Sequence, residues 1–279
     1  MLAVILALSA SLVGGSTDFV AGWQTRRTSL WGVVLVSQIA GVAFTGMLAA
    51  LRGKGAPGAD VILPALMAGV ASVVAIATFY EGLAVGIMSI IAPISTAGVV
   101  VPVAVGIARG ERPSALQILG MAVVVVGVVL ASLERSAGKR PAPSRFSIAL
   151  ALLAAASIGT VYVGMGLAAA HDPAWGVFVL RCTSALCFGS IMAVRRPALH
   201  LTWPAVPVLV LVGLGDNGAN ALFSLATTHG YLSVVAVLGY IYPAFTVFLA
   251  HLFLGERLSR TQAVGAAAAL AGAALLGAA

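Results

Sequence analysis

Ten apolar runs alternate with short polar punctuation along the chain. They fall at 2–22, 30–51, 62–80, 86–108 and 114–133, then at 147–168, 175–194, 204–227, 232–253 and 261–278. Each approaches or exceeds the roughly 20 residues that an α-helix needs to cross a bilayer. Most connections are brief, such as WQTRRTS and RGKGAPGAD. The longest, ERSAGKRPAPSR, carries Pro141 and Pro143 and marks a seam. It divides the chain into residues 1–133, a linker at 134–146, and residues 147–279.

The two sides of the seam repeat one another. GERPSALQILGMAVVVVG begins at Gly110 and GERLSRTQAVGAAAALAG at Gly255; they agree at Gly110/Gly255, Glu111/Glu256, Arg112/Arg257, Ser114/Ser259, Gln117/Gln262, Gly120/Gly265 and Gly127/Gly272. Further back, at an offset of 144, Gly15 meets Gly159, Trp31 meets Trp175, Gly69 meets Gly213, Gly86 meets Gly230 and Ser89 meets Ser233. A one-residue slip after Ala92/Ala236 brings the offset to 145. Self-similarity at a fixed period is a statement about architecture. Five spans per unit is an odd number, so the second unit enters the membrane from the opposite side. The sequence therefore predicts an all-α membrane protein of ten transmembrane helices in two inverted five-helix repeats. In secondary transporters this design places the substrate site near the midplane, where the repeats meet, and lets one rock against the other.

Composition agrees with this reading. Of 279 residues 61% are hydrophobic and 8% charged, with mean hydropathy +1.10, which excludes a soluble globular fold. The net charge of +7 does not point to nucleic acid, because fourteen of the fifteen Lys and Arg lie in connections, where they suit phospholipid headgroups. Arg52, Lys54, Arg109 and Arg112 fall on the face carrying the termini, and the other ten on the opposite face. Counted this way, the opposite face is cytoplasmic. The N-terminal run lacks a basic leader and is read as the first span. Cys182 and Cys187 are five apart in one run and point to different helix faces, so no disulfide is expected.

Ionisable groups inside spans cost about 2.5–3.5 kcal/mol each at mid-helix, so each needs a reason. The inventory is Asp18, Glu81, Arg181, Asp216, His229 and His251. Asp216 stands out in Gly215-Asp216-Asn217-Gly218-Ala219-Asn220, where the i, i+4 spacing puts Asp216 and Asn220 on one helical face. Such a set can hold a substrate ammonium or take up a proton, and it can equally bond to neighbouring helices. Arg181 can meet a substrate carboxylate or pair with an acid across the bundle. Asp18 and Glu81 are candidates for coupling or for water-facing helix ends; His229 and His251 suit packing or interfacial positions. Tyr80, Tyr162, Tyr240 and Tyr242 can present hydroxyls to a cavity. Pro93, Pro102 and Pro243 interrupt the corresponding fourth and ninth spans and free backbone carbonyls there. Trp31 and Trp175 are assigned to the membrane interface. The glycines of the sixth and tenth spans are read as packing surfaces.

Tyr242-Pro243-Ala244-Phe245, followed by Leu254-Gly255-Glu256-Arg257-Leu258-Ser259 and a last Ala/Gly-rich span, resembles the closing signature of EamA-type transporters of the drug/metabolite transporter superfamily. Gly230, Ser233 and Arg181 belong to the same pattern. The first half carries it more loosely through Gly86, Ser89 and Gly110-Glu111-Arg112-Pro113-Ser114, with Gly98 where the second half has Pro243. The resemblance covers essentially the whole chain. It implies a ten-helix bundle that moves small metabolites, such as amino acids or related compounds, outward across a bacterial inner membrane. It also implies cytoplasmic termini, opposite to the charge count.

The expected function is secondary transport of a small organic metabolite by alternating access, with efflux as the direction, in the inner (plasma) membrane. The partners expected are a small-molecule substrate and the lipid bilayer, with either a coupled proton or no coupling ion, as in a facilitator. No GxxxxGK[ST] loop, HExxH, GxSxG or Cys/His ligand spacing occurs, so ATP hydrolysis, a cofactor, a metal and catalysis are not expected. A membrane-embedded enzyme and a non-transporting scaffold or receptor subunit are the readings from other classes.

Overall fold

The structure, a computed structural model, describes all residues except 25–27, 54, 86–90, 92, 93, 134–143, 200 and 255–258, and residues 80 and 83–85 by backbone alone. Gly86, Ser89, Pro93, the charges and prolines at 134–143, Arg26, Arg27, Lys54 and the second GER turn thus lie outside the described residues, as does the Tyr80 side chain.

The helices follow the apolar runs. They are α1 (Leu2–Gln24), α2 (Leu30–Leu51), α3 (Ala59–Val85), α4 (Val100–Ala108), α5 (Ala115–Ser132), α6 (Arg145–Ala169), α7 (Pro173–Arg195), α8 (Val206–Thr227), α9 (Leu232–Gly239), α10 (Tyr242–Leu254) and α11 (Arg260–Ala278). A 3₁₀ turn at Ala97–Val99 leads into α4, and another at Trp203–Ala205 into α8. Among the described residues there is no strand, and nine segments are long and apolar enough to cross a membrane, with a shorter one at Ile94–Ala108. Two spans differ from simple runs among the described residues: the fourth holds the 3₁₀ turn at Ala97–Val99, and the ninth is broken into α9 and α10.

Local chemistry explains the ends. Ser114 and Ser259 each accept a hydrogen bond from the backbone N–H three residues on, while Gln117 and Gln262 accept from the backbone N–H of those serines. Both last spans of the repeats therefore start on the same capping box. Asp172 caps α7 by accepting from Ala174 N and Trp175 N. Glu111 reaches to a different span: its carboxylate accepts from Leu232 N at 2.6 Å and Ser233 N at 3.0 Å, so the first GER turn holds the start of α9.

The break in the ninth span follows from Pro243. Proline cannot donate to the carbonyl four residues back, which is Gly239. The Ser11 hydroxyl of α1 lies 2.9 Å from that carbonyl and 2.5 Å from that of Leu238, so a neighbouring helix serves the backbone that the kink leaves open. Ser11 is 1% exposed. Replacing it with alanine is expected to cost about 1–3 kcal/mol, the penalty for a buried acceptor left without a donor. Unfolding of the detergent-solubilised variant beside wild type measures it.

Packing pairs the halves in a reciprocal way. α3 runs along α6, and α8 along α1; α3 meets α7, and α8 meets α2; α1 meets α10, and α6 meets α4; α5 packs on α11 and α2 on α7. Exchanging each helix with its counterpart 144 or 145 residues away reproduces this set. The correspondence extends to atoms. A Cβ on Gly15 would lie 2.5 Å from Tyr242 O and 2.7 Å from Phe245 Cβ; one on Gly159 would lie 2.5 Å from both Gly98 O and Val101 Cβ. All three pairs, 15/159, 98/242 and 101/245, keep the offset of 144. Gly98 is thus the counterpart of Tyr242 by contact, one residue from the Pro243 alignment that the sequence suggests.

The α5–α11 seam shows relative direction. Gly127 abuts Gly265 O and Gly120 abuts Gly272 O, while Gly265 meets the backbone of Ala131 and Gly272 that of Val124. Rising numbers on one helix meet falling numbers on the other, so these counterpart helices are antiparallel. Close backbone approach over glycine is how helices gain contact where lipid is as apolar as the side chains. Trp175, near the start of α7, packs against the cluster of Val61, Ala65 and Ala168, and its indole N–H is buried with no partner among the described residues.

Candidate functional site

A cavity of about 260 Å³ lies between the halves. Its walls come from α1, α2 and α3 of the first half and from α6, α7, α8 and the α9–α10 break of the second. Many lining residues are counterparts at the offset of 144: Gly14 and Ile158, Asp18 and Tyr162, Ser72 and Asp216, Ala75 and Ala219, Ile76 and Asn220. The same scaffold positions therefore face one space from both sides, and their chemistry has diverged. Polarity concentrates on the second half, at Asp216, Asn220 and Tyr162, with Asp18 the acid contributed by the first.

Arg181 organises the polar wall. It sits eight residues into α7, roughly 12 Å along its axis, too deep for the guanidinium to be stabilised by headgroups alone. Three acceptors surround it. Nη2 donates to Asp216 Oδ2 at 2.5 Å, Nε to Asn217 Oδ1 at 2.6 Å and Nη1 to Gln38 Oε1 at 3.0 Å. A planar fork with fixed donors suits such a set, and the ion pair balances a charge that lipid would not tolerate unpaired. Asn217 is fully buried and itself donates to Gly213 O at 2.7 Å; Gln38 is nearly buried and reaches Ser184 Oγ at 3.4 Å. Exposure separates the ion-pair partners: 12% of the Arg181 side chain is accessible, against 42% for Asp216. The arginine is sunk into the wall, and the carboxylate shows an edge to the cavity.

Asp18 lines the same cavity from α1 and is exposed there, with no ion-pair or hydrogen-bond partner among the described residues. Tyr162 lines it too, set edge-on to Phe223 with ring centroids 4.6 Å apart. Asn220 shares the cavity face of α8 with Asp216, as the i, i+4 spacing predicts, while Asn217 turns away to Arg181.

Other sequence candidates lie elsewhere. Tyr240 is 2% exposed, stacks behind Tyr162 at 4.7 Å, and keeps its hydroxyl buried with no partner among the described residues; Tyr242 reaches the cavity instead. Glu81 is exposed near the end of α3 and does not line the cavity. His229 follows α8 and His251 lies in the last turn of α10, both exposed. Pro102 is buried inside α4, and Pro243 is the second residue of α10 beside Tyr242.

Gln38, Gly41 and Ser11 are absent from the inventory of ionisable spans and carry much of the site. Gln38 was visible as an uncharged polar residue deep in an apolar run. Gly41 lets α2 approach Arg181 and Asn217, since a methyl group there would collide with the Asn217 amide and lie 3.3 Å from Arg181 Cδ.

Comparison with known proteins follows the same line. The model of the EamA-like transporter family matches residues 145–278. A solved structure, described only as a protein crystal structure, is similar over 99% of this chain and 98% of its own, with TM-score 0.79 at 17% identity, which shows a shared fold. No curated protein matches the sequence. Residues 145–278, just under half of the chain, thus match the EamA-like transporter family, in a chain whose described helices include nine long and apolar enough to cross a membrane.

Proposed function

We propose that the protein is a secondary transporter of a small organic metabolite, an amino acid or a related compound, which it carries by alternating access between two inverted repeats spanning 1–133 and 147–279. The observation that carries this reading is the central cavity lined by counterpart residues of both halves. A pocket on the pseudo-symmetry boundary can open to one face by one tilt of the repeats and to the other face by the reverse tilt. Its size suits a small solute, since ligand pockets start near 300 Å³ and this one holds about 260 Å³. Efflux across the inner membrane follows from the family resemblance, and Asp18 and Asp216 are the proton carriers this reading names.

The test is flux. Purified protein in liposomes is expected to exchange a radiolabelled amino acid or amine for unlabelled solute faster than empty vesicles, without ATP. An imposed proton gradient is expected to drive accumulation. A panel of such solutes that crosses no faster than through protein-free lipid contradicts the reading. It would favour the scaffold or receptor alternative.

A further inference from the structure

We propose that the cavity selects a small organic cation, an amine without a carboxylate, held between Asp18 and Asp216 against an aromatic wall. This inference rests on the transporter reading above and narrows its substrate class. The cavity is lined by two carboxylates and one guanidinium. The guanidinium is already engaged: its three nitrogens donate to Asp216, Asn217 and Gln38, and 12% of its side chain is accessible. A ligand carboxylate would have to displace one of these partners or settle for the remaining edge of the fork. It would also approach two acids.

The carboxylates present the opposite situation. Asp216 leaves 42% of its side chain accessible, and Asp18 is exposed with no partner among the described residues. With Arg181 balanced by Asp216, Asp18 is the carboxylate left for a ligand to pair with when it is ionised. An ammonium group does so directly and can add hydrogen bonds to both acids. Tyr162, Phe188, Phe223 and Tyr242 supply ring surface on the same cavity. Aromatic faces attract cations as well as hydrocarbon, so they favour the same ligand twice. An anion gains only the apolar contact.

Three probes of matched size separate the charge classes: 2-phenylethylammonium, phenylalanine and 3-phenylpropionate. Each is titrated into the purified protein in detergent and followed by its effect on the melting temperature, and each is tested for uptake into proteoliposomes. The cation is expected to bind at least about tenfold more tightly than the zwitterion or the anion. Asp18→Asn is expected to weaken cation binding about tenfold while the melting temperature of the unliganded variant stays near that of wild type. Equal or tighter binding of phenylalanine or 3-phenylpropionate overturns the proposal, as does cation binding that Asp18→Asn leaves unchanged, or no binding of any probe. Transport of an anion or zwitterion alone would refute the cation assignment and leave the transporter reading standing; transport of no solute in any charge class would refute that reading itself.

Discussion

Asp216→Asn is expected to reduce flux to the level of empty liposomes while the protein still purifies as a folded, monodisperse species. The two properties separate because the carboxylate is at once the partner of Arg181 and an accessible edge of the cavity. Asparagine keeps the shape and one hydrogen-bond acceptor for Nη2, and Asn217 and Gln38 continue to hold the guanidinium. The lost charge pairing is therefore discounted, costing about 1–2 kcal/mol in place of the 3–5 kcal/mol typical of a fully buried pair. Arg181→Gln is the harsher change. It removes the donor shared by three acceptors, one of them on the fully buried Asn217, and leaves Asp216 uncompensated in the wall. We expect loss of flux together with destabilisation of about 3 kcal/mol or more. The double variant Arg181→Gln/Asp216→Asn, which restores charge balance, is expected to recover part of the stability and none of the flux. Flux assays and denaturant unfolding on the three variants check these outcomes. Wild-type flux in Asp216→Asn contradicts the assignment of this wall to the solute path.

Gly41→Ala is expected to lower flux at least about tenfold by moving a group that it does not replace. An alanine methyl would occupy the space of the Asn217 amide, and Asn217 has no room to yield, being fully buried and tied to Gly213 O. The adjustment must fall on the Asn217–Arg181 bond or on the separation of α2 from α8. Either shifts the guanidinium, and with it Asp216, and displacement of a binding group by an ångström is enough to cost a large factor. A conservative control is Ala49→Gly, buried on the same helix but away from the cavity, which removes a methyl without adding one. Solute affinity and flux measured for both distinguish a positioning role from a general loss of packing: affinity falls in Gly41→Ala and changes little in the control.

Much of the fold is legible in the chain because lipid imposes simple rules. A span must be long and apolar, so α2, read as 30–51, forms over Leu30–Leu51. Odd numbers of spans per repeat force inversion, and the reciprocal packing of counterpart helices fits that expectation. The capping boxes at Ser114 and Ser259 were present as repeated Ser and Gln positions, with the mechanism unread. The site was legible only in part. Asp18, Asp216, Asn217, Asn220, Arg181 and Tyr162 are visible as costly polar groups in apolar runs, but periodicity does not say which helices bring them together. Gln38 and Gly41 escape because they carry no charge, and Tyr240 attracts notice that Tyr242 merits, because two residues along a broken helix change which way a ring points. The break itself follows from Pro243. Its position between Gly239 and Tyr242 depends on Ser11, 228 residues away from Gly239, which no local pattern encodes.

The central claim is that this cavity communicates with each side of the membrane in turn. Ser72 lines it from α3 and tolerates cysteine by size. In a background with Cys182 and Cys187 replaced by serine, Ser72→Cys is to be labelled with a membrane-impermeant maleimide in right-side-out and in inside-out vesicles. Alternating access predicts labelling from both sides, slowed by solute at each. Labelling that stays confined to one side under every solute and gradient condition, or that fails from both, contradicts it.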